Sequence, residues 1–217
     1  MRQLALNITT APVPTFDNFV VGRNAEIIAH LRAAIAGDGE RFVYLWGEAG
    51  CGRTHLLKAA VAASASASYV ACAASSAFDE SASLLAADDV ECLGAAAQIA
   101  LFHRYNALRE QGCGLIASGS VPPVQLKLRA DLVTRLGWGL VVQVHALSDE
   151  AKAQALALHA KARGFTLSSE VIAYLLTHAP RDMGALFSTL DALDRHSLET
   201  KRAVTVPLLR ELLSNSD

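Results

Sequence analysis

The sequence predicts an α/β protein, a parallel sheet of five strands with helices on both faces, followed by a small all-helical segment. Three observations predict it. A short apolar run, Phe42-Val43-Tyr44-Leu45-Trp46, leads through a glycine-rich turn into His55-Leu56-Leu57-Lys58-Ala59-Ala60-Val61, good helix formers without a breaker. Further apolar runs then alternate with helical periods as far as Val144, which is the pattern of parallel strands buried under crossover helices. From Ser148 onward the signal is helical only.

Taken in order, residues 1–14 have no helical period, and Pro12 and Pro14 keep them extended. Asn24 can cap a helix that places Ile27, Ile28, Leu31 and Ile35 on one face and ends at Gly37. After the glycine-rich turn and its helix, Ser68-Tyr69-Val70-Ala71-Cys72 reads as a second strand and the run from Ala82 to Ala87 as a third. Residues 95–110 carry Ile99, Phe102, Tyr105 and Leu108 at helical spacing. Gly114 to Ser120 reads as a buried strand with a small polar end, and Pro122-Pro123 breaks the chain. The next helix is expected to carry Leu126, Leu132 and Leu136 and to close at Gly137-Trp138-Gly139, ahead of the β-branched strand Leu140 to Val144.

In the helical segment Ser148 can cap a helix running to Arg163, and Ser168 or Ser169 the next. Arg181-Asp182-Met183-Gly184-Ala185-Leu186 opens a third. Pro207 sits where a first helical turn tolerates it. The expected division is an extended tail over 1–14, an α/β domain over 15–146 and a helical domain over 147–217.

Composition narrows the partners. A chain of 217 residues, 52% hydrophobic and 18% charged, can bury a real core and is not of disordered type. A net charge of −2 gives no overall pull toward nucleic acid. No apolar run is long enough to span a bilayer, and the start lacks a signal-peptide core. Cys51, Cys72, Cys92 and Cys113 form no metal-type spacing and read as reduced thiols of a cytoplasmic protein.

Chemistry concentrates in Gly47-Glu48-Ala49-Gly50-Cys51-Gly52-Arg53-Thr54. Small residues at Gly47, Gly50 and Gly52 let the backbone wrap a phosphate, whose charge then meets free amides and a helix N-terminus. Thr54 is placed to offer a hydroxyl to Mg²⁺. Arg53 stands where the usual motif has lysine: it keeps the charge but presents a planar fork in place of a compact ammonium. Nucleotide binding is therefore expected to survive, and independent turnover is not expected. Asp88-Asp89 closes an apolar strand, as a metal-water site beside phosphates would, although an acidic turn looks the same. Gln3-Leu4-Ala5-Leu6 reads either as a frayed terminus or as a short peptide for another protein's groove. Arg135 reads either as a side chain projecting from a helix end or as one paired with Asp131 (i, i−4).

Together these residues resemble a family. Phe16 to Gly22, the glycine-rich loop, Leu84 to Asp89, the Ser118 to Pro123 turn and Arg181 to Leu186 are similar to the AAA+ module of the DnaA replication initiator. With its Gln-Leu-x-Leu start and an arginine in the loop, the chain resembles the Hda family, DnaA-related regulators. That resemblance implies a P-loop AAA+ core with a C-terminal helical lid. It implies an adenine-side contact at Val20 and Val21, a Walker A loop from Gly47 to Thr54 that binds nucleotide through Gly47, Gly50, Cys51, Gly52, Arg53 and Thr54, and a further nucleotide contact at His55. Asp88 and Asp89 match Walker B, Arg181 the lid's sensor 2, Arg135 the arginine finger, and Gln3, Leu4 and Leu6 the sliding-clamp motif. Ser120 stands where the family's sensor 1 turn often carries a carboxylate. The cofactors implied are ADP (or ATP) and Mg²⁺, held by Thr54 and Asp88. The partners implied are the DnaA initiator and the DNA polymerase III sliding clamp, with DNA reached only indirectly through the clamp, no membrane and room for a homo-oligomer. The implied function is negative regulation of replication initiation; the competing reading is a DnaA-related ATPase or helicase loader acting by its own hydrolysis.

Overall fold

The computed structural model describes residues 13–180 and 182–214. They divide into an α/β unit, Pro14–Lys152, and a helical unit from Ala153 onward. The α/β unit opens with helix α1, Ala25–Ala36, which presents Ile27, Leu31 and Ala34 to the core. Five strands follow: β1 Phe42–Trp46, β2 Ala67–Ala71, β3 Leu84–Asp88, β4 Gly114–Gly119 and β5 Leu140–Gln143. Helices α2 (Arg53–Ala62), α3 (Ala95–Glu110) and α4 (Ala130–Leu136) connect them. Every strand pair is parallel, in the order β2-β3-β4-β1-β5.

The sheet is buried on both faces, which is why its central strands read as unbroken apolar runs rather than as alternation. All positions of β3 and β4 are buried. One core, with Leu31, Leu45, Leu56, Leu57 and Ile116, lies on the side of α1 and α2. The other, with Tyr44, Leu85, Leu101, Leu108 and Leu132, lies on the side of α3 and α4.

Three expectations change here. Asn24 stands at the N-cap of α1 but its side chain makes no cap hydrogen bond. It donates instead to the carbonyl of His145 at 2.9 Å and accepts from the His145 amide at 2.8 Å, tying the start of α1 to the chain beyond β5. Leu126 is not part of a helix with Leu132: a 3₁₀ turn, Pro123–Gln125, stops short of it, and α4 begins only at Ala130. Asp131 pairs with Arg129, at 2.8 Å, and not with Arg135.

The helical unit holds most of α5 (Asp149–Ala162), with α6 (Ser169–His178), α7 (Met183–Thr200) and α8 (Val206–Ser214). Ser168 caps α6 by accepting from the Val171 amide, and Asp182 caps α7 by accepting from Ala185. Leu156, Leu175, Leu186, Leu190 and Leu208 form its own core. Among the described residues no helix is long and apolar enough to cross a membrane.

Candidate functional site

The carboxyl ends of β1, β3 and β4 come together, the edge where open parallel sheets place ligands. The loop after β1 is shaped by close approach. A Cβ at Gly47 would lie 2.4 Å from the carbonyl oxygen of Val144, and one at Gly52 would lie 2.7 Å from Cε2 of Phe19. Gly52 also holds φ +106, which a side chain would strain. Cys51 is buried below the loop, and burial pushes its thiol pKa up, so it packs as a small apolar group. His55 is anchored by its Nε2 to the carbonyl of Thr15 at 2.9 Å and packs on the Phe19 ring at 5.3 Å. Phe16 and Phe19 are buried, whereas Val20 is half-buried and Val21 is exposed beside them.

Gly52 caps α2 without any side-chain hydrogen bond, so the first amides of that helix remain open to an anion. Arg53 adds a second sign of a missing ligand. Its Nη2 pairs with Asp89 at 3.3 Å, while its Nη1 is buried with no hydrogen-bond partner among the described residues. A buried guanidinium nitrogen without an acceptor is costly, and a phosphate oxygen is the acceptor that the charge and the neighbouring amides fit.

The two acidic residues differ. Asp88 is 3% exposed. Its Oδ1 accepts from the hydroxyl of Ser118 on β4, and its Oδ2 accepts from the hydroxyl of Tyr69 on β2 at 2.8 Å. Each oxygen keeps a further lone pair, so the carboxylate still fits a hydrated cation. Asp89 lies just past the strand with φ 53, its amide donating to Ser118 Oγ at 3.0 Å. Burial and the charge of Asp88 raise its pKa, and Arg53 opposes them. Thr54 is exposed at the start of α2. Among the described residues no three metal-ligating side chains converge, so a cation here would rest on Thr54, Asp88 and phosphate oxygens.

Sequence reasoning put weight on Ser120 and missed Ser118. The Ser120 side chain is not what engages the acidic pair: its amide donates to Glu91 Oε1 at 2.7 Å, while the buried Ser118 hydroxyl joins Asp88 to Asp89. Tyr69, missed as well, closes the other side of Asp88, and its own hydroxyl pKa is raised by burial and by that bond.

Arg135 sits in the last turn of α4, and its side chain is held against aromatic rings rather than projecting freely. Its guanidinium is stacked on Trp138 at 3.9 Å from the ring centre, with Phe102 at 5.5 Å, and its Nε donates to Asn106 Oδ1 at 3.0 Å. Gln3, Leu4, Leu6 and Arg181 lie outside the described residues.

Comparison with known proteins agrees with this fold. Residues 149–213 match the family profile "Hda, lid domain", and residues 11–78 match that of the bacterial DnaA ATPase domain. Domain III of the replication initiation protein DnaA from Thermotoga maritima superposes with a TM-score of 0.74 at 21% identity, covering 94% of this chain and 97% of that one. AMPPCP-bound DnaA from Aquifex aeolicus gives 0.69 at 24% identity over 84% of this chain and 65% of its own. Initiator DnaA bound to AMPPCP and single-stranded DNA gives 0.68 at 25% identity, over 88% and 68%. Fold and loop therefore define a P-loop AAA+ protein related to DnaA. Within that class the similarity is to Hda, carried by residues 149–213, which follow the α/β unit in the sequence.

Proposed function

We propose that this chain binds ADP and restrains replication initiation by promoting hydrolysis of the ATP held by the DnaA initiator. In this reading Gln3, Leu4 and Leu6 dock it on the DNA-loaded sliding clamp, and Arg135 is supplied in trans to the initiator's nucleotide. A guanidinium there would neutralise charge that develops on the transferred phosphoryl group. In the chain's own site, the α2 amides and Arg53 would hold the diphosphate, Val20 and Val21 would flank the base, Arg181 would close from the lid, and Thr54 with Asp88 would carry Mg²⁺. Bound nucleotide would supply the anion that the open amides and the orphaned Arg53 nitrogen lack.

The observation that carries this reading is Arg135 itself. It is a cation at a helix end whose terminal nitrogens make no hydrogen bond or ion pair among the described residues, in a chain with an Hda-type lid. The competing reading, independent ATP turnover, is disfavoured because Arg53 spends Nη2 on Asp89 and leaves only Nη1 for a phosphate.

The test is to incubate the protein with DNA-loaded clamp and ATP-bound DnaA and to follow ATP loss. The parent should accelerate hydrolysis. Arg135→Ala should lose most of that acceleration, where fingers contribute ~10³-fold or more, while retaining its fold and its ADP affinity. Equal stimulation by Arg135→Ala would sink the reading.

A further inference from the structure

We propose that Trp138 is the positioning residue for Arg135: its indole face is the platform that holds the guanidinium in one orientation. The inference rests on the finger reading above and adds a residue that reading does not contain.

A half-exposed tryptophan needs a reason. Trp138 is 53% exposed, and the groups lying over its ring are cations: Arg135 at 3.9 Å and Arg109, from the last turn of α3, at 5.0 Å. A guanidinium over an indole is attracted by the negative face of the ring. The pairing is built into the chain locally, since the Trp138 amide donates to the Arg135 carbonyl at 3.2 Å as α4 closes. Ring and guanidinium therefore come from the same turn and do not depend on distant packing to find each other.

The manner of restraint matters more than its strength. An arginine could be fixed by a carboxylate, but that would occupy and neutralise the terminal nitrogens. Here the acidic residue four positions back, Asp131, is bound to Arg129 through two hydrogen bonds, at 3.2 and 2.8 Å. Arg135 is held instead at its Nε by Asn106 and on its face by Trp138 at 3.9 Å, with Phe102 more distant at 5.5 Å, and none of the three uses a terminal N–H. One hydrogen bond leaves the side chain free to swing about it; the stack removes that freedom. Arg109 adds a second positive charge beside the same ring and favours the approach of an anion.

Trp138→Leu, Trp138→Phe and Arg135→Ala are compared in the assay with ATP-bound DnaA and DNA-loaded clamp, each over a concentration series. Trp138→Leu should lower the maximal stimulated rate about two- to fivefold, the scale of one solvent-exposed cation–π contact, with the half-saturating concentration unchanged. Trp138→Phe, which keeps an aromatic face, should restore most of the rate. A loss seen chiefly as a raised half-saturating concentration would make Trp138 a partner contact and overturn the proposal. So would parent-like stimulation by Trp138→Leu when Arg135→Ala is inactive, an outcome that leaves the finger reading standing. A second readout needs no partner. The Nε–H resonance of Arg135 should be shifted by the indole ring current in the parent and should move toward the free-arginine position in Trp138→Leu. If Arg135→Ala stimulates normally, the finger reading falls, and an unmoved Nε–H resonance would then overturn the stack separately. Trp138→Met replaces the leucine variant if circular dichroism shows that variant unfolded.

Discussion

Ser118 performs two tasks with one hydroxyl, donating to Asp88 and accepting from the Asp89 amide. Ser118→Ala therefore removes the donor to a buried carboxylate and the acceptor of a backbone amide together. The expected cost is about 1–3 kcal/mol, the penalty for buried polar groups left without partners. Urea denaturation should show it clearly for Ser118→Ala and scarcely at all for Ser120→Ala, because Ser120 engages Glu91 through its backbone. The loop glycines and the acidic pair were legible in the sequence because their spacing is local. Ser118 was not, because its role depends on the pairing of β3 with β4, which sets Ala87 beside Ala117 and is invisible along one dimension. Arg135 was legible as a helix-end cation, but the sequence pointed to Asp131 as its partner by the i, i−4 rule. The short α4 gives Asp131 to Arg129 instead, and the aromatic platform comes from beyond the helix end.

At the scale of elements, α1 shows that a capping residue need not cap. Asn24 is 1% exposed and spends both ends of its amide on the backbone of His145. Asn24→Ala should cost about 1–3 kcal/mol by stranding a carbonyl and an amide. Asn24→Asp should fall between alanine and parent, since it keeps the acceptor for the His145 amide and loses the donor to its carbonyl. Thermal melts of the three proteins check this order; an aspartate variant as stable as the parent would show that the donated bond contributes nothing. Apolar runs between turn signals were enough to locate the strands, the central ones of which are buried on both sides. Helix ends were harder: Leu126 has the right spacing for a helix face, yet Pro122-Pro123 restricts the chain to a single 3₁₀ turn.

At the scale of the molecule, the α/β unit has its cores on the two faces of the sheet and the helical unit has its own. Leu186 is fully buried in the latter. Leu186→Ala should destabilise the helical unit by roughly 2–5 kcal/mol, as buried leucine truncations do. Hydrogen exchange should then accelerate at α6 and α7 amides, while those of Leu85 and Ile116 in the sheet stay protected. Equal acceleration in both would show that the units share one cooperative transition. The change from alternating elements to helices alone was visible in the sequence, and with it the fold class. Strand order was not, because periodicity says which segments are strands and nothing about which of them are neighbours.

That order carries a consequence in time. β1, the strand that bears the glycine-rich loop, is flanked by β4 and β5, so Phe42 finds its partner only at Leu115. β2 and β3, made between them, can pair first. During synthesis at about 5–20 residues per second, the strand holding the loop waits for several seconds with both edges unpaired. The loop's close approach to Val144 waits longer still, for the chain beyond β5. The site is therefore among the last parts of the α/β unit to exist on the ribosome, although nearly all of its motif residues are made early. Until β4 emerges, an exposed apolar strand edge is the form in which a chaperone or a second nascent chain would meet this protein.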